Sequence, residues 1–353
     1  QRLPEDVIVM GDFERGIKTQ ALGFEYQHDE YSLKIIGPSD RFNAMADWEQ
    51  GHGRQVYAKI QIGTTHENGN VPYLPVLERI AAKYIAMRRR GVQGIMCCWN
   101  FGNMPSLATE LAGMMSWDDA PDDTDQALRE LALRHFGPAA VEAAVRGWKT
   151  ISAAMEDFPS SIPVMYYGPV NRSFAFRLYL DRKNKPFPRS WLLDLDDEGD
   201  DLGSWTSPFG AEHVIKCFRH VAEGFLRGAQ EMLAAAASLP AEDAHELRVE
   251  AGVAECCALQ MQSAANITGF ILLRNDWLEA TGEEKERLRL RMIEVLRSET
   301  TICRRALELV AADPRLGFHG EAYGYLFNRP LIEQKLANLA SLIQTLNESC
   351  QGA

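Results

Sequence analysis

Val56-Tyr57-Ala58-Lys59-Ile60-Gln61-Ile62 is a β-branched, apolar run that stops at Gly63 and gives way to the polar loop Gly63-Thr64-Thr65-His66-Glu67-Asn68-Gly69-Asn70. Residues 74–90 follow, with Leu77, Ile80, Ala81, Tyr84 and Met87 at helical spacing and Arg88-Arg89-Arg90 ahead of Gly91, as a helix C-terminus favours. A further apolar run, Gly94-Ile95-Met96-Cys97-Cys98-Trp99, then leads into Asn100-Phe101-Gly102-Asn103. Strand, polar loop, helix and strand in that order form a βαβ unit, whose strands run parallel.

Towards the N-terminus two more short runs have the same character, Val7-Ile8-Val9-Met10 and Leu33-Lys34-Ile35-Ile36, and residues 39–50 suit a short helix. Residues 1–123 thus carry about four βα units. Beyond residue 123 the rhythm changes. Residues 124–136 and 138–158 read as helices, and residues 159–208 are rich in proline and turns, with an acidic run at 194–201 that suits a solvated connector. From residue 210 to 353 four amphipathic helices form a bundle. In the second, Ala254, Cys257, Met261, Ala264, Thr268 and Ile271 step by three and four; in the fourth, Ile332, Leu336, Leu339, Ile343 and Leu346 do the same. Glu299 falls on the apolar stripe of the third, as a carboxylate with a partner in the core would.

Composition narrows the function. At 353 residues, 46% hydrophobic and 24% charged, the chain belongs with globular proteins, and its formal charge of -12 argues against nucleic acid or an anionic membrane as a partner. No run of 18 apolar residues occurs, and Gln1-Arg2-Leu3-Pro4 lacks the succession of a signal peptide, so a cytoplasmic chain with no membrane contact is expected. The seven cysteines include two adjacent pairs, Cys97-Cys98 and Cys256-Cys257, among apolar neighbours, which suits core residues rather than a disulfide framework. Neither HExxH nor paired-cysteine metal spacing is present, and the phosphate-loop and nucleophile-elbow motifs are missing too, so no metal or cofactor is expected.

In a parallel β/α fold functional groups gather past the carboxyl ends of the strands. Those loops hold Asp12, Glu14 and Arg15 after the first run, His66 and Glu67 after the third, and Trp99, Asn100 and Asn103 after the fourth. A carboxylate at one strand end, a second across the mouth and an indole for a sugar ring are what glycosidic cleavage requires. Asn100, Asn103 and His66 would recognise hydroxyls, and Arg15 would join them in binding substrate. Plainer readings stay open: Asp12 or Glu14 paired with Arg15, His66 as a loop histidine, Trp99 as a core residue.

Residues 56–67, the following helix and residues 91–100 ending in tryptophan resemble the last two β/α units of (β/α)8-barrel glycoside hydrolases, in the clan that places its carboxylates after strands four and seven. The resemblance implies a partial (β/α)8-type parallel barrel over residues 1–123, with a helical domain appended. Glu67 then matches the nucleophile and Trp99 the stacking position, with the runs at Val7 and Leu33 as strands five and six. It implies a carbohydrate substrate, with Asp12 or Glu14 as companion carboxylate. Residues 313–325, where Phe318, His319, Glu321 and Tyr323 lie among glycines, look like part of the helical domain that bacterial members of such families carry. Strands one to four would lie outside this chain, in a missing N-terminal half or supplied by self-association. The alternative reading is a carbohydrate-binding or assembly protein without turnover.

Overall fold

The computed structural model describes Pro4 and residues 7–98, 104–193 and 199–348. The chain folds as two compact units: Gln1–Thr65, Pro72–Ser161 and Gly224–Ala254 form the first, and His66–Val71, Ile162–Glu223 and Glu255–Ala353 the second.

The first unit holds a parallel sheet of β1 (Val9–Asp12), β4 (Val56–Lys59) and β5 (Gly94–Met96), in the order β1-β4-β5, with the hairpin β2 (Ile17–Ala21) and β3 (Phe24–His28) beside it in the chain. Val9 registers with Val56, and Tyr57 with Gly94, where a side chain would strike the Tyr57 ring. The parallel strands and the βαβ unit are as expected from the sequence. Helix α1 (Asp40–Gly51) starts at Ser39, whose hydroxyl accepts from the Phe42 N–H at 3.1 Å. Helix α2 (Leu77–Arg90) buries Leu77, Ile80, Ala81, Tyr84 and Met87, as its spacing requires, and ends at Gly91 with φ 73°, where the Gly91 and Val92 N–H groups reach the carbonyls of Arg88 and Met87. Helices α3 (Leu107–Met115), α4 (Thr124–Phe136) and α5 (Val141–Ala154) complete the layer.

Two expectations for this unit are corrected. Leu33-Lys34-Ile35-Ile36 is not a strand, because side chains take its backbone groups. The Ser32 N–H goes to Glu14 at 2.9 Å, the Lys34 N–H to the Ser32 hydroxyl at 3.0 Å, and Arg79 donates to the carbonyls of Leu33 and Lys34. Residues 17–28, to which the sequence reading assigns no element, form an antiparallel hairpin. Ala21 registers with Phe24 across a two-residue turn in which Leu22 and Gly23 both have positive φ, a conformation whose twist suits a hairpin. Three parallel strands, where the sequence suggests about four βα units, are therefore present among the described residues, as one small sheet.

In the second unit, α6 (Ile162–Tyr167) opens the segment expected to be a solvated connector, yet residues 168–176 are buried throughout. That is a correction: Phe174 and Phe176 supply apolar burial that outweighs the turn-rich composition. Four long helices follow, as the periodicity predicts: α7 (Ala211–Ala236), α8 (Ala241–Glu279), α9 (Gly282–Ala312) and α10 (Arg329–Glu348), the first two shared with the first unit. The six α8 stripe residues are all buried. This helix is long and apolar enough to cross a membrane, but 83% of its apolar window is buried inside the fold. Glu299 has the core partners expected of it: Lys335 as a close ion pair, the Ser263 hydroxyl, and Asn266 Nδ2 at 3.0 Å. Between α9 and α10 a second correction appears, the bridge of β6 (Phe318–His319) and β7 (Gly324–Tyr325), short strands in a region expected to be strand-free. Gly317, at φ 96°, has the Phe327 carbonyl where a side chain would stand, so only glycine fits there.

Candidate functional site

At the carboxyl end of β1 in the first unit, Asp12 pairs with Arg15 at 3.7 Å, and Arg15 also reaches Asp29 at 3.6 Å. Lys59, the register partner of Asp12 on β4, lies over the Tyr31 ring at 2.8 Å from its centre. Burial pushes the Lys59 amine down to about 8 against the pull of Asp12, and pushes the Tyr31 hydroxyl up to about 12 with Asp12 reinforcing it. Glu14 is placed differently. Its carboxylate is fully enclosed, forms a close ion pair with Lys83, and accepts from the Gln61 N–H at 2.8 Å and the Ser32 N–H at 2.9 Å. Lys83 spends its other two protons on the Ser32 and Gln61 carbonyls, at 2.8 and 3.1 Å. Burial raises the Glu14 carboxyl, against the lowering effect of Lys83 and the two N–H groups. This pair staples the ends of β1 and β4, which is an architectural role.

Residues 63–76 have no regular structure and are buried without a break, an unusual state for a loop carrying Thr64, Thr65, His66, Glu67, Asn68 and Asn70. Within the second unit, Asn171 holds the central part. Its Oδ1 accepts from the Gly69 N–H at 2.6 Å, its Nδ2 donates to the His66 carbonyl at 3.0 Å, and its own carbonyl accepts from Asn70. The Gly317 N–H then donates to the Asn70 carbonyl at 2.8 Å, which fixes the β6–β7 turn to the loop. Glu67 is fully enclosed in this frame.

His66 is the centre of the cluster. Its Nε2 lies 3.1 Å from Glu321 and its Nδ1 3.2 Å from the Ser190 hydroxyl. A proton on Nε2 directed at Glu321 leaves Nδ1 to accept from Ser190. Carboxylate, imidazole and hydroxyl stand in a row, as in an acyl-transfer triad, but here Glu321 and Ser190 each hold one ring nitrogen of His66. The row orients the imidazole instead. The Tyr166 ring lies against His66 at 4.0 Å between centres, Trp191 stands edge-on at 5.8 Å, and Arg189 reaches over Trp191. His319 follows at 5.9 Å; burial, then His66, pushes it down to about 3, and the Ala322 N–H donating to its Nδ1 keeps its proton on Nε2.

Thus the structure places His66 and Glu67 in a buried polar loop beside an aromatic wall, and Asp12 and Arg15 in an ion pair at a strand end. Trp99, Asn100 and Asn103 lie outside the described residues. Sequence reasoning missed Tyr166, Asn171 and Trp191, all within the supposed connector, where Tyr166-Tyr167 and Ser190-Trp191 were the available signal. Among the described residues no group of three or more His, Cys, Asp or Glu side chains could hold a metal ion, and none of the described cysteines, Cys97 and Cys98 included, is in a disulfide. The chain matches no protein-family model, and no curated protein is significantly similar to it.

Proposed function

We propose that the protein is a glycoside hydrolase-like, carbohydrate-cleaving enzyme in which Glu67 supplies the catalytic carboxylate, and that the β1-β4-β5 sheet belongs to a (β/α)8-type arrangement. One observation carries the reading: a wholly buried polar loop, past the end of a parallel strand, presents His66 and Glu67 with Tyr166 and Trp191 beside His66. A pyranose offers an apolar C–H face and a ring of hydroxyls, and such a site matches both, the aromatic rings stacking and the imidazole hydrogen-bonding. Of the companion carboxylates named in the sequence, Glu14 is held by Lys83 and Asp12 by Arg15.

The test is hydrolysis of a panel of aryl glycosides by the wild type and by Glu67→Gln, which keeps the shape and loses the charge. Turnover should fall by about three orders of magnitude or more. Trp191→Ala should instead raise KM about tenfold, since a stacked ring contributes roughly 1 kcal/mol or more. The commitment of Glu14 favours one other reading, a carbohydrate-binding protein without turnover. Saccharide binding that depends on Trp191, with no aryl glycoside cleaved, would establish that instead.

A further inference from the structure

We propose that the first unit carries a second carbohydrate-binding cleft, built around Trp117. This inference does not rest on the function proposed for the Glu67 loop. Trp117 is 72% exposed, far more than is usual for an indole, and it lines a cleft of about 600 Å³ with Glu110 and Gly113 of α3, Asp119 of the following turn, and Glu130 and Arg134 of α4. The turn that presents it is anchored. The Ala120 N–H donates to the Trp117 carbonyl at 3.2 Å, and the Arg88 guanidinium donates to the Ala120 carbonyl at 2.7 Å and to that of Pro121. The polar groups are held too: Glu110 by His135 at 2.7 Å and Arg134 at 3.9 Å, and Glu130 by Gln126 Nε2 at 2.9 Å. Gly113 leaves open space where a side chain would project.

The lining selects the ligand class. Three carboxylates repel an anion, and Arg134 in the same cleft opposes an organic cation. A neutral polyhydroxylated ring meets both kinds of group, because its hydroxyls donate to carboxylates and accept from the guanidinium while its C–H face covers the indole. The volume is within the range of small-ligand sites and exceeds that of one sugar ring.

The experiment is affinity electrophoresis of the full chain through gels cast with neutral soluble polysaccharides (a glucan, a mannan, a xylan and a galactan), followed by titration of the matching oligosaccharide against wild type, Trp117→Ala, Trp117→Phe and Glu67→Gln. At least one polysaccharide should retard the wild type. Trp117→Ala should bind the matching oligosaccharide about tenfold more weakly, with an unchanged thermal transition. Trp117→Phe should recover part of the affinity, and Glu67→Gln should keep this binding. Three results would each overturn the proposal: no polysaccharide retards the wild type, retardation is indifferent to Trp117, or tetramethylammonium quenches the Trp117 fluorescence while no saccharide does.

Discussion

The imidazole of His66 and the carboxylate of Glu321 meet at 3.1 Å, so the loop past the end of β4 and the short β6–β7 turn are joined through one polar contact inside the second unit. A second tie, from the Gly317 N–H to the Asn70 carbonyl, lies next to it. The site and the turn are therefore coupled, and disturbing one should be felt in the other.

Glu321→Ala should loosen the turn before it loosens the helices. Hydrogen exchange at the Gly317 amide, which donates to Asn70, and the Leu326 amide, which donates to Gly317, should speed up, while the core of α8 keeps its protection. Unchanged exchange at both amides would mean that the His66 contact contributes nothing to the turn.

The Glu14 and Lys83 pair should behave as a buried staple. Removing one partner leaves a charge without its counterion in a fully enclosed position, so Lys83→Met should cost about 3 to 5 kcal/mol in urea unfolding. Combining it with Glu14→Gln should restore much of that loss. A cost below about 1 kcal/mol for Lys83→Met would contradict the architectural role.

His319 gives stability a dependence on pH. Its folded value, pushed down to about 3, lies below the ordinary histidine value of 6.5, so between them the unfolded chain binds a proton that the folded chain refuses. Stability is complete above 6.5 and falls as pH drops through that window, by up to about 1.4 kcal/mol per pH unit from this residue. Urea midpoints measured from pH 7 down to pH 4 should show a shallower decline for His319→Gln than for the wild type. Parallel declines would assign the acid sensitivity elsewhere.

The parallel sheet was legible because Val56 to Ile62 and Gly94 to Trp99 carry their signal locally, as β-branched runs flanking an amphipathic helix. Leu33-Lys34-Ile35-Ile36 has the same local signature and fails as a strand, since Arg79, which captures the carbonyls of Leu33 and Lys34, is distant in sequence. The signal of the hairpin, the alternation of Ile17 to His28 around Leu22-Gly23, is local as well. At the site, His66 and Glu67 stood out as polar residues past a strand. Their neighbours did not: Ser190 lies 124 residues from His66 in the chain, and no local pattern announces such a meeting. Burial also separated Glu14 from Asp12, which the sequence treated as equivalent carboxylates.

The measurement that tests the role of Glu67 most directly is chemical rescue. Glu67→Ala removes the carboxylate and leaves room, so an aryl glycoside cleaved by the wild type should be cleaved very slowly by the variant, and added azide or formate, standing in for the missing group, should restore turnover in proportion to its concentration. Folding is checked in the same samples by the thermal transition. Rescue by either anion is the result predicted for a carboxylate that attacks the sugar or activates water. A folded Glu67→Ala that turns over as fast as the wild type, or that stays inactive at every concentration of both anions, would contradict it.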